Sequence, residues 1–156
     1  MKLTEIISKE HMVANLEAKD KEDLITKLVE LLKDDPNILD LEQAKNDVFE
    51  RENILSTGVG KGFALPHAKS SAVKGIVAAF CTVKEAIDYG ALDSEPVNMA
   101  LLLLGPTEQS SLHIKILSRI SRMISNEEFK KKILEQTTSE DLFNCFIEEE
   151  KNYPEI

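Results

Sequence analysis

Two apolar runs, residues 76–83 (IVAAFCTV) and 97–104 (VNMALLLL), place the tightest limit on what this chain can become. Each has the length of a strand and neither alternates apolar with polar positions, the pattern of strands buried on both faces of a sheet. Such a sheet needs helices on both sides, and helical spacing brackets the two runs. Upstream, Leu24, Ile25, Leu28, Val29, Leu31 and Leu32 recur at that spacing over residues 21–33, with Asp20 placed to cap them. A second helix is expected over 41–52, with Leu41, Ala44, Val48 and Phe49 inward and Arg51 at its end. Downstream, a helix is expected over 110–124. Ser125 and Glu128 have capping-box spacing before Phe129, Ile133 and Leu134, and Thr138 opens a last helix carrying Leu142, Phe143, Phe146 and Ile147. Residues 13–16 read as a further short strand, 84–96 as a loop or small hairpin, and the tail NYPEI as frayed. The expected fold is α/β, a central sheet flanked by helices on both faces, in a single domain over 1–156. Periodicity does not give the strand order.

Composition narrows the function classes. A net charge of −9 argues against a nucleic-acid binder. No uninterrupted apolar run is longer than Met99 to Leu104, far short of the roughly 20 residues of a membrane span, so no membrane insertion is expected. Glu5, Lys9 and Glu10 break the N-terminal segment where a secretory signal would be apolar, and a cytoplasmic location is expected. Cys81 and Cys145 fit no metal-ligand spacing, and Cys81, inside an apolar run, reads as core.

The chemistry concentrates between Arg51 and Lys69, RENILSTGVGKGFALPHAK, which holds three of the six glycines. Gly58, Gly60 and Gly62 alternate with Val59 and Lys61, so the backbone can take positive φ and turn its N–H groups towards one point, as an anion-binding concavity requires. Pro66 fixes its own φ and pushes Leu65 to an extended conformation, so His67 is expected at the end of a short strand. Residues 51–75 carry Arg51, Lys61, Lys69 and Lys74 against Glu52 alone, a basic segment on an acidic body. Neutral imidazole is a nucleophile at pH 7 without a general base, and loop N–H groups with Arg51 could surround a phosphoryl group. The plainer readings are a flexible turn, a structural histidine, solubilising lysines, and an arginine interacting with a helix dipole.

The stretch resembles the phosphorylation site of the fructose/mannitol family of IIA domains in the bacterial phosphoenolpyruvate-dependent sugar phosphotransferase system (PTS). In that family an acidic residue precedes a glycine-bearing loop, a short apolar segment, and Pro-His followed by a small residue. Glu52, Gly60, Ala64, Leu65, Pro66, His67 and Ala68 match, whereas Phe63 stands where a smaller aliphatic residue is usual. The resemblance extends over nearly the whole chain. It implies a mixed sheet of about five strands, with His67 in a shallow surface depression. By the same resemblance, His67 accepts a phosphoryl group from HPr or an HPr-like phosphocarrier and passes it to a cysteine of a IIB domain, expected on a separate chain. Arg51 corresponds to the arginine that the mannitol branch places near its phosphohistidine. Gly58, Gly60, Lys61, Gly62 and Lys69 are the phosphoryl-binding candidates.

His113 needs its own weighing. In the helix over 110–124 the apolar arc carries Leu112, Ile116, Leu117, Ile120, Met123 and Ile124, and the opposite side Lys115, Ser118, Arg119, Ser121 and Arg122. His113 falls on the apolar arc. The plain reading is a core histidine bonded to a backbone carbonyl; the resemblance implies a histidine beside the phosphorylated one. His11 has no motif around it and reads as a surface residue. The glycines do not form GxxxxGK[ST], because Gly62 follows Lys61, and they precede rather than follow a clear strand, against a dinucleotide fingerprint. No cofactor or metal is expected. The alternative function is that of the nitrogen-related regulatory IIA branch, in which the phosphorylation state of the same site controls protein contacts; the segment DYGALD suits the fructose branch equally well.

Overall fold

The computed structural model describes residues 1–156. In chain order it comprises β1 (Met12–Leu16), α1 (Lys21–Glu30), α2 (Leu41–Ile54), β2 (Gly58–Gly60), β3 (Phe63–Ala64), β4 (His67–Lys69), β5 (Val77–Ile87), β6 (Val97–Gly105), α3 (Ser110–Ile124), α4 (Glu127–Leu134) and α5 (Ser139–Glu150). The two apolar runs become β5 and β6, an antiparallel pair at the middle of one mixed sheet. β1 lies parallel to β5 on one side. On the other side of β6, β3 and β4 follow one another along the same edge, both parallel to it, and β2 pairs antiparallel with β3 outside them. Six strands thus occupy five positions across the sheet.

Pro66 explains why β3 and β4 are two strands. It has no N–H for the ladder, but its carbonyl accepts from Leu103 N at 3.0 Å, so the lane stays attached to β6 through the break. The consequence is that His67 begins β4 and does not end a strand. The next residues of β4 are held opposite Leu104 and Gly105.

Both faces of the sheet are covered, as the unalternating runs require. Along β6, Met99, Leu101 and Leu103 point into the layer formed with α3, α4 and α5, and Ala100, Leu102 and Leu104 into the layer formed with α1 and α2. The α1/α2 face of the neighbouring strands uses small side chains, among them Ala64, Ala68 and Ala79, so these helices can approach closely. Aromatic rings fill the other layer: Phe146 meets Phe80 at 4.9 Å and Phe129 at 5.3 Å between centroids, both edge-on.

The Asp20 and Thr138 caps form as expected, accepting from Asp23 N and Asp141 N. Several local details differ. α1 ends at Glu30, with a turn following. β5 runs on to Ile87, which pairs with Val97 beyond a register irregularity. α4 is capped by Asn126, whose side chain accepts from Glu128 N and Phe129 N, because Ser125 still belongs to the end of α3. The tail is tied down rather than frayed: Arg119 donates to the Pro154 carbonyl, Tyr153 donates to Glu149 at 3.1 Å, and Ile156 N donates to the Met1 carbonyl at 2.9 Å. These contacts also bury Arg119, which spacing alone put on the polar side of its helix. His11 is not a free surface residue, since its Nε2 lies 3.7 Å from Asp35 and its side chain is largely covered.

Candidate functional site

His67 is positioned by its own backbone. Its Nδ1 lies 2.8 Å from the Leu65 carbonyl, an acceptor only, so Nδ1 carries the proton and donates. The tautomer follows: Nε2 keeps its lone pair. Burial holds His67 below the ordinary histidine range; the bond to Leu65 and the charge of Glu52 act against this, and Arg51 adds to it. The ring is therefore neutral at pH 7.

Three side chains, from α2, α3 and its own strand β4, share a depression with this ring. Arg51 from the last turn of α2, Lys69 from β4 and His113 from α3 line one depression with His67, joined by Asp47, Glu50 and Ser70. The His67 and His113 ring centroids are 5.9 Å apart. Arg51 is steadied by donating through Nη1 to the Leu55 carbonyl at 3.0 Å, just beyond the helix end, so the end-of-helix role and a place in the depression coexist. Lys69 Nζ donates to Ser110 Oγ at 3.3 Å. Ser70 Oγ donates to Asp47 Oδ2 at 2.5 Å and accepts from Ala72 N, fixing the strand after His67.

His113 is 3% exposed, yet neither ring nitrogen has a hydrogen-bond partner. A structural core histidine would be bonded to a carbonyl; this one is not. Burial, with the neighbouring His67 and Lys69, pushes it down to about 4, so it is neutral and carries one N–H and one lone pair, both unspent. Room for the ring comes from Gly105, where an added Cβ would lie 3.0 Å from His113 Nδ1 and 3.2 Å from Ile76 Cγ1. Sequence reasoning missed Gly105, although a glycine closing a buried apolar strand is an available signal of close approach.

The glycine turn is elsewhere. Gly60, Lys61 and Gly62 do take positive φ in succession, at 106°, 55° and 83°. Their concavity holds an anion from the chain itself: Lys61 N donates to Asp93 Oδ2 at 2.8 Å, and bonds from Lys61 N and Glu95 N hold the Asp93 carboxyl below its usual range. Lys130 donates to the Lys61 carbonyl on the same side. Gly58 packs against Ala91 and Tyr89. Register separates this turn from the histidine, because Phe63 is level with Met99 and His67 with Leu103, four residues or about 13 Å along the strand. Gly58, Gly60, Lys61 and Gly62 therefore lie outside the depression of His67, whereas Arg51, Lys69 and His113 line it.

Comparison with known proteins gives the family. The family model "Phosphoenolpyruvate-dependent sugar phosphotransferase system, EIIA 2" matches residues 5–149. A fructose-specific EIIA component of Haloferax volcanii is 34% identical over 82% of this chain and 83% of its own length. The fructose-specific EIIABC component of Bacillus subtilis is 31% identical over 97% of this chain, which spans only 24% of that relative. Among solved structures, the nitrogen regulatory protein IIA-Ntr of Neisseria meningitidis superposes with a TM-score of 0.86 at 26% identity, covering 92% of this chain and 98% of that one. With a match across nearly its whole length, the chain belongs to the EIIA 2 family of the phosphoenolpyruvate-dependent sugar phosphotransferase system.

Proposed function

We propose that the protein, as one domain over 1–156, is a phosphocarrier whose phosphoryl group rides on His67 Nε2. The observation that carries this reading is the Nδ1 to Leu65 bond, which spends one ring nitrogen and leaves the other free beside Arg51, Lys69 and the unpartnered His113. The donor is the phosphohistidine of HPr or an HPr-like carrier, and the acceptor a cysteine thiolate of a IIB domain.

In the first step the Nε2 lone pair forms a bond to phosphorus as the donor's N–P bond breaks. Each imidazole keeps its own ring proton, so no general base is required. The positive charge leaves the donor ring and arises on His67, where the Leu65 carbonyl faces the Nδ1–H that carries it. Arg51 and Lys69 supply positive charge, and His113 one neutral N–H, for the equatorial phosphoryl oxygens. In the second step the thiolate forms a P–S bond as the Nε2–P bond breaks, and neutral His67 returns.

Exposed apolar side chains edge the depression, Ile54 at 80% and Ile114 at 65% exposure, which suits transient docking of a protein that carries the donor or acceptor group. A second reading, a regulator whose phosphorylation state sets its contacts, is favoured by the likeness to IIA-Ntr. Incubation with phosphoenolpyruvate, enzyme I and HPr, followed by intact-mass analysis, tests the shared step. The wild type gains one acid-labile, base-stable phosphate and folded His67→Ala gains none; undiminished labelling of the variant overturns the assignment. Transfer onward to a IIB domain then separates transport from regulation.

A further inference from the structure

Glu52, the neighbour of Arg51 on the last turn of α2, points the other way and is 3% exposed. Its carboxylate is fully engaged. Oε2 accepts from Thr57 N at 2.9 Å and from Lys21 Nζ at 2.7 Å, and Oε1 accepts from the Thr57 hydroxyl and from Tyr89 Oη at 3.1 Å. Burial alone would raise this carboxyl, but the bonds from Lys21 and Thr57 outweigh it, so the group is ionised. Burial pushes the Tyr89 hydroxyl up, keeping it a donor.

Two further bonds continue from Thr57 to the histidine. The Thr57 carbonyl accepts from Leu65 N at 2.9 Å, and the Leu65 carbonyl accepts from His67 Nδ1 at 2.8 Å. Both backbone polar groups of Leu65 are thereby committed, one to the segment Glu52 holds and one to the imidazole. Pro66, next in the chain, is bonded through its carbonyl to Leu103 N and cannot compensate for a shift of Leu65.

We propose that Glu52 is a positioning residue for His67: by clamping Thr57 it fixes, through Leu65, the carbonyl that selects the Nδ1–H tautomer and so presents Nε2. The inference rests on the reading of His67 as the phosphoryl acceptor, and it makes one helix turn do two things, Arg51 facing the depression and Glu52 setting the ring. A purely structural Glu52 would stabilise the α2 to β2 connection without touching the tautomer.

Nitrogen-15 NMR of the histidine rings in the full chain separates these roles, using wild type, Glu52→Gln, and Thr57→Val as the milder variant should Glu52→Gln not fold. In the wild type His67 is the Nδ1–H form. In the variants the Nε2–H form, preferred by an unconstrained histidine side chain, gains population, and the rate of phosphoryl acceptance from phosphorylated HPr falls about tenfold in Glu52→Gln, the scale of one charge-assisted hydrogen bond. A folded variant that keeps the wild-type tautomer overturns the proposal whatever its stability. A wild type that holds the Nδ1–H form, loses it in the variants, and never accepts phosphate leaves the relay standing and sinks the phosphocarrier reading instead.

Discussion

At the residue scale, His113 is the side chain whose cost most needs a return. A buried imidazole with no partner forgoes hydrogen bonds it would make in water, and the phosphoryl group proposed for His67 would supply one. Charge-assisted bonds are worth roughly 1.5–3 kcal/mol, so His113→Ala should slow phosphoryl transfer about tenfold to a hundredfold, and His113→Gln, which keeps a donor, by less. Stopped-flow transfer rates beside denaturation midpoints check this; a large stability loss with normal transfer would return His113 to the core. The same residue gives a pH dependence. Its folded value of about 4 lies below the ordinary 6.5, so the unfolded chain binds the proton more readily and stability falls as pH drops from 6.5 towards 4. Denaturant midpoints between pH 7 and pH 4 should decline more steeply in the wild type than in His113→Gln. On the proposed reading Arg51 adds charge at the depression beside its exposed bond to the Leu55 carbonyl, so Arg51→Ala should slow transfer in both directions while the melting temperature moves little.

At the element scale, the site exists because β6 serves two short strands in one lane. β4 sets His67 level with Leu103, and the end of β6 passes directly beneath the His113 ring at Gly105. The constraint at Gly105 is space and not backbone conformation. Gly105→Ala should therefore push the His113 ring aside, costing about 1–3 kcal/mol as an overpacking change and slowing phosphoryl transfer together with it. Thermal melts and transfer rates of that one variant read both effects. Helix spacing made α1, α2, α3 and α5 legible, but the break at Pro66 was not, since one strand ending at His67 was expected and two, with His67 opening the second, are found. The cap of α4 was not legible, since Ser125 and Asn126 both suit an N-cap and only the end of α3 decides between them.

At the scale of the whole molecule, the sheet divides two cores of similar size, one mostly aliphatic but holding Tyr89 against α1 and α2 and one with the Phe80, Phe129 and Phe146 cluster against α3, α4 and α5. Phe146→Ala should cost about 3–5 kcal/mol yet leave transfer by the folded fraction near normal, a contrast with the His113 and Gly105 variants that urea denaturation and transfer rates would reveal. No helix is long and apolar enough to cross a membrane. The sequence by itself determined the layers, because an unalternating strand must be covered twice, and it determined that His67 follows a rigid Pro66, because φ of proline is a local property. It also marked Gly58, Gly60 and Gly62 as positions able to take positive φ, which Gly60 and Gly62 do and Gly58 does not, but not what the N–H groups of that turn would meet. That was decided by register: pairing with β6 sets the turn beside Asp93 and sets His67 four residues further along, next to Arg51 and His113. Periodicity reports the face of its element on which a residue stands, though not always its burial, as Arg119 shows. Which distant partner lies across that face, as with Glu52 and Tyr89 or Arg119 and Pro154, depends on how strands and helices align in space, and only the tertiary structure fixes that alignment.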